Sequence, residues 1–158
     1  MAPSELSPFT PDITQNGILD WCKKNGTTVV AYSPLGRGFL SGQIKSRNDF
    51  EEGDFRRNNP RFSEENFPKN LELVEDLKKI GAKHGYTSGQ VALAWVVAQG
   101  DNVVAIPGST KVKNVDENIA AGEVKLNADE LKEIDDIIHS FKTSGQRYDG
   151  AMMSMVAF

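Results

Sequence analysis

The sequence is short of the residues that build covalent, metal-bound or membrane-spanning structure. One cysteine, Cys22, in 158 residues excludes an internal disulfide and fits a reducing compartment. Histidine occurs only as His84 and His139, and the acidic pairs Glu51-Glu52, Glu64-Glu65 and Asp135-Asp136 lack metal-ligand spacing, so no metal site is expected. No apolar run approaches the ~20 residues needed to cross a bilayer, and Met1–Glu5 lacks the basic and apolar regions of a secretory signal. There is no long low-complexity tract and no internal repeat of solenoid period. Positive charge is not in excess either: 18 Lys and Arg against 22 Asp and Glu leave a net charge of −4, with no global attraction to nucleic acid or an anionic membrane. What remains, 39% hydrophobic and 25% charged, is the composition of a globular domain expected in the cytoplasm, without nucleic-acid or membrane partners.

Along the chain, apolar runs alternate with helical patterns. A short segment at Glu5–Phe9 precedes Pro11-Asp12, where Asp12 and Gln15 have capping-box spacing, so a helix is expected with Ile18, Trp21 and Cys22 on its inner face, stopping at Asn25-Gly26. Thr28–Tyr32 is a continuous β-branched and apolar run, the pattern of a strand covered on both faces. Residues 43–69 are polar and aperiodic, with Arg47, Asp49, Arg56, Arg57 and Arg61 among them. Such a long excursion is read either as a lid, binding loop or disordered segment or as a solvated surface loop.

Leu73, Leu77 and Ile80 then predict an amphipathic helix over Asn70–His84. Thr87 with Gln90 opens another, apolar on nearly every face through Ala98 and holding Trp95 in the core. Asn102–Pro107 is the second buried strand, followed by a helix over Val112–Ala121 and one from Asn127 carrying Leu131, Ile134, Ile138 and Phe141. Strands separated by helices favour parallel pairing through right-handed crossovers, which makes the fold α/β.

Two strand exits carry chemistry. Tyr32-Ser33-Pro34-Leu35-Gly36-Arg37-Gly38 and Ile106-Pro107-Gly108-Ser109-Thr110-Lys111 both place glycine, hydroxyl and cationic groups at the C-terminal end of a strand, the edge where α/β proteins bind ligands. Small residues let backbone N–H groups approach a phosphate, and the helix beginning at Val112 offers its positive end to an anion. Taken alone, each segment is a weak signal and reads first as an ordinary turn. His84 and His139, near helix ends, are read as structural, Cys22 and Trp21 as core, and Tyr148 as either lining a site mouth or covering apolar surface.

Ala31–Gly42, the helix phrase Thr87–Trp95 and Ile106–Lys111 through Glu117-Asn118 resemble, in order and spacing, the aldo-keto reductases, in particular the branch that contains pyridoxal reductases and related fungal and bacterial enzymes. The resemblance runs from Glu5 to Phe141 and more loosely into Gln146-Arg147-Tyr148. It implies part of a (β/α)8 TIM barrel, the sixth through eighth strand regions, with residues 1–144 as the C-terminal half of the barrel and 145–158 as a tail. It implies NADP(H) as cofactor: Tyr32 stacked on the nicotinamide, Ser33, Leu35, Gly36 and Arg37 around the pyrophosphate, Ser109, Thr110 and Lys111 at the 2′-phosphate, and Glu117 and Asn118 near the adenine.

Two departures qualify the resemblance. Asn114 stands where a basic residue is common, and Pro3 stands where the family has a glutamine beside the nicotinamide. The family's catalytic Asp, Tyr, Lys and His lie on earlier strands that would precede Met1, so no residue here inherits the role of the acid that protonates a carbonyl oxygen. Three readings follow: an NADP(H)-dependent carbonyl oxidoreductase inactive alone, a nucleotide-binding module without turnover, and a structural or interaction protein reusing the half-barrel. Three parallel strands cannot close a barrel, so self-association, a rearranged sheet or a complementary chain is expected.

Overall fold

The run Val29–Tyr32 forms the middle strand (β2) of a three-stranded parallel sheet, between Ala2–Glu5 (β1) and Val103–Ala105 (β3), in a computed structural model that describes residues 1–153. The register aligns Ala2 with Val29 and Val29 with Val103, and Ala31 sits between Ser4 and Ala105. Parallel neighbours cannot be joined by a hairpin, and each crossover here is helical. Helix α1 (Ile18–Lys24) links β1 to β2, while α2 (Asn66–Ala82) and α3 (Ser88–Ala98) link β2 to β3. Helices α4 (Val112–Ala120), α5 (Ala128–Ser140) and the short α6 (Gly150–Met153) follow. This is α/β architecture, a segment of a parallel (β/α) barrel; the last five residues of the tail lie outside the described residues.

The side-chain period of two divides the sheet into unequal faces. Val29, Ala31 and Val103 are buried against Val91, Ala92, Trp95 and Val96 of α3 in one core. On the alternate face Val104 and Ile106 are 51% and 50% exposed. Strand β3, expected to be buried, is therefore covered on one face, because no second layer packs on its other face among the described residues. Along β1 the amides of Ala2 and Leu6 donate to Thr28 and Tyr32 on the β2 side, so the backbone nitrogens of the alternate residues Pro3 and Glu5 face the outer edge.

Local sequence chemistry accounts for most helix starts. Thr87 with Gln90 and Asn127 with Glu130 form complete capping boxes on α3 and α5. Asp12 and Gln15 do not: Asp12–Thr14 makes one 3-10 turn without a side-chain cap, and α1 begins after Gly17 at φ 85°. A helix of only seven residues buries Leu19 and Cys22, which turns Trp21 outward at 59% exposure and corrects its expected place in the core. Trp95 is buried, its indole N–H donating to Asp135 Oδ1 at 2.8 Å. His84, beside the C-terminus of α2, pairs with Glu130 at the start of α5.

The excursion after β2 is ordered by short 3-10 turns at 47–49, 55–58 and 60–62, capped by the side chains of Ser46, Asp54 and Asn59. Its Phe50 and Phe62, with Phe67 of α2, pack against Phe39 and Phe9 at centroid distances of 5.2–6.3 Å. It folds back onto the sheet, and α2 begins at Asn66, four residues before its expected start. The tail returns across this layer, where the Ser144 amide donates to Asn70 Oδ1 at 2.8 Å and the Arg147 carbonyl accepts from Asn59 at 2.6 Å.

Candidate nucleotide-binding cleft

Both strand exits lie at the C-terminal edge of the sheet, and a cleft of about 720 Å³ opens between them. Seven of the residues singled out in the sequence line it: Leu35 and Arg37 after β2, Ser109, Thr110 and Lys111 after β3, and Glu117 and Asn118 on α4. The turn after β2 is held in left-handed backbone from Gly36 to Gly38 (φ 56°, 61° and 87°), and Ser33 is left-handed as well at φ 50°. Ser33 and Arg37 are not glycines, so this geometry is strained there, a feature that clusters at functional sites. Gly36 itself is buried under the cleft, where a Cβ would meet Phe9 at 3.1 Å.

The opposite wall is the start of α4. Ser109 makes a local turn, its hydroxyl accepting from the Lys111 amide at 3.1 Å, and no side chain caps the helix, which leaves its positive end toward the cleft. Lys111 is exposed. Arg37 is sandwiched between aromatic rings, 4.5 Å from the Tyr148 centroid and 5.4 Å from that of Phe55. Its Nη2 is buried with no hydrogen-bond partner among the described residues. Arg56 donates to the Arg37 carbonyl at 2.9 Å and is held by Asp54, whose carboxyl is pushed below its ordinary range chiefly by that hydrogen bond. Gln43, Ile44, Asp49 and Arg56 of the excursion also line the cleft. Aperiodicity hid them; the only local signal was arginine interleaved with phenylalanine.

Tyr32 and Ser33 lie outside this cleft's lining. Tyr32 lines a separate hollow of about 600 Å³ with Pro3, Glu5, Arg61 and Arg147. Burial pushes the Tyr32 hydroxyl pKa up, the charges of Glu5 and Tyr148 add to the rise, and Arg147 and Arg37 oppose it. Burial also pulls the Arg61 guanidinium down to about 10, so it stays protonated at neutral pH. Arg61 donates to Thr10 Oγ1 at 2.7 Å, and the Thr10 hydroxyl donates to Glu5 Oε1 at 3.2 Å. Arg147 reaches Asp12 at 2.9 Å and stands 3.7 Å from Glu5. Sequence reasoning missed this charged network, because its members are far apart in the chain and none belongs to a motif. No group of His, Cys, Asp and Glu able to hold a metal is found among the described residues, and no helix there is long and apolar enough to cross a membrane.

A parallel sheet with helical crossovers and a cleft between two strand exits defines an α/β protein, and comparison with known proteins narrows the class. The profile described as the Aldo/keto reductase family matches residues 4–139. Aldo-keto reductase str7 of Strobilurus tenacellus is 48% identical over 145 residues, covering 90% of this chain and 43% of that protein. Aldo-keto reductase yakc [NADP(+)] of Schizosaccharomyces pombe is 47% identical over 146 residues, covering 91% and 43%. Among solved structures, the glycerol dehydrogenase of Gluconobacter oxydans superposes with a TM-score of 0.80 at 30% identity, over 91% of this chain and 43% of that one. The chain belongs to the aldo/keto reductase family, and it spans less than half the length of these relatives.

Proposed function

We propose that the chain is the NADP(H)-holding part of a carbonyl oxidoreductase. The observation that carries this reading is the convergence of residues from two strand exits, more than seventy positions apart, on one cleft with an uncapped helix start and a buried, unpartnered guanidinium nitrogen. These features suit an elongated polyanion. On the family's pattern Leu35, Gly36 and Arg37 hold the pyrophosphate with Ser33, while Ser109, Thr110 and Lys111 hold the 2′-phosphate. Glu117 and Asn118 meet the adenine, and Tyr32, in the adjoining hollow, packs on the nicotinamide. The cofactor supplies hydride when bound; this chain's part is to bind it and orient its nicotinamide beside Tyr32. The acid that protonates the carbonyl oxygen comes from the portion of the barrel that relatives carry beyond the 43% matched here.

The exposed inner face at Val104 and Ile106 supports association with that portion or with a second copy of the chain. A compact monomer by light scattering, unchanged on adding a polypeptide with the first strand regions of a relative, would remove this part of the proposal.

Fluorescence titration tests the cofactor reading. NADPH is expected to quench tryptophan emission saturably and to bind more tightly than NADH. Lys111→Ala should weaken NADPH by roughly tenfold, the scale of a lost charge-assisted hydrogen bond, while leaving NADH nearly unchanged. Absence of saturable binding at millimolar NADPH refutes the reading.

A further inference from the structure

Glu117 is gripped from outside the cleft. Its Oε1 accepts a 2.7 Å hydrogen bond from the hydroxyl of Thr87, thirty residues earlier, and its backbone carbonyl accepts from Gln90 Nε2 at 3.5 Å. Thr87 and Gln90 are the two members of the capping box on α3: the Gln90 amide donates to Thr87 Oγ1 at 3.1 Å and the Thr87 amide to Gln90 Oε1 at 3.0 Å. Neither side chain lines the cleft, whereas Glu117 does. The single proton of the Thr87 hydroxyl is thus committed to α4 while its oxygen accepts from the helix it caps. Between them, Gly89 lets the walls close: a Cβ there would stand 3.3 Å from Ser41 Cα and 3.6 Å from Glu117 Oε1.

We infer that Thr87 is a positioning residue for base recognition, holding the Glu117 carboxylate so that its second oxygen is presented to the cleft as an acceptor. Oε2 makes no hydrogen bond to another described residue. An ionised carboxylate only accepts, so a carboxylate fixed in this way selects a base whose edge carries an amino donor and disfavours one with a carbonyl there. A carboxylate free to rotate would turn away from the wrong base at little cost. The chemistry selected is an aminopurine nucleotide over its deaminated counterpart. This inference rests on the cofactor reading above and deepens it, by naming the residue that sets base selectivity from outside the cleft.

The test compares binding of NADPH with that of its hypoxanthine analogue, in which the adenine amino group is replaced by a carbonyl, by titration of the full chain. Wild type should prefer NADPH by about fivefold, the size of one net hydrogen bond. Thr87→Ser keeps both hydrogen bonds and should keep the preference. Thr87→Asp still caps α3 but cannot donate to Glu117 and repels it, so it should melt near wild type and lose the preference. If Thr87→Asp proves unfolded, Thr87→Val, which has no hydroxyl, should bind both dinucleotides with equal affinity. Full preference retained in whichever of these two variants folds would overturn the inference while leaving the cofactor reading intact; no binding of either dinucleotide by wild type would overturn both.

Discussion

Replacing Ser33 by glycine separates the strain in the turn after β2 from its use. Ser33 sits at φ 50°, where an L-residue pays about 1–2 kcal/mol against the Cβ–carbonyl clash. Its hydroxyl makes no hydrogen bond to another described residue, so removing the side chain breaks no internal contact of that kind. Glycine relieves the strain but returns about 0.5–1 kcal/mol through the greater freedom of the unfolded chain. The difference leaves Ser33→Gly more stable by about 0.5–1 kcal/mol, or roughly 1–4 °C in Tm for a domain of this size. Urea unfolding followed by circular dichroism reads the stability, and NADPH titration of the same variant reads affinity, which on the proposed cofactor reading should fall several-fold with loss of the hydroxyl assigned to the pyrophosphate. A variant that is both less stable and undiminished in affinity would show that the left-handed serine is neither strained nor used.

Three further substitutions probe the packing of the fold. Gly81→Ala should destabilise by about 1–3 kcal/mol in the same urea assay, because its Cβ would lie 2.5 Å from the Tyr86 carbonyl oxygen, a backbone atom that cannot step aside. Phe39→Ala removes a fully buried ring stacked among Phe9, Phe62 and Phe67, and is expected to cost about 3–5 kcal/mol and to loosen the excursion, read as faster amide exchange over residues 46–62. Glu130 is the acid-sensitive point: the Asn127 amide, and after it His84, hold its carboxyl below the ordinary carboxylate range. Its contribution to stability is complete above its unfolded-state pKa and is lost as pH falls through the lowered folded value. Glu130→Gln should therefore flatten the loss of stability on acidification through and below the ordinary carboxylate range, and an unchanged slope would count against the role.

How much of this was legible in the sequence follows from how local each cause is. The capping boxes of α3 and α5 were readable because donor and acceptor lie three positions apart. The similar spacing of Asp12 and Gln15 misled, since Gly17 in left-handed backbone restarts the helix and rotates Trp21 into solvent. The run Asn102–Pro107 was rightly a strand, yet apolar composition cannot tell a face covered by this chain from one left open, and Val104 and Ile106 are open. The two strand exits announced the cleft because glycine and cations cluster there. The contributions of Asp49 and Arg56, and the charged network of Glu5, Arg61 and Arg147, depend on how the excursion and tail fold back, which no periodicity encodes.

The two rims of the sheet share a feature that bears on assembly. At the outer edge of β1 the backbone nitrogen of residue 3 faces away from β2, and that residue is Pro3, which has no proton to donate. A strand added on that side would find one rung missing from the ladder, and at β3 the outward Val103 amide already donates to the Gly100 carbonyl at 2.9 Å while the outward nitrogen after Ala105 belongs to Pro107. Accretion of further sheet is therefore hindered at both rims, so stacks of identical chains joined edge to edge would be poorly propagated.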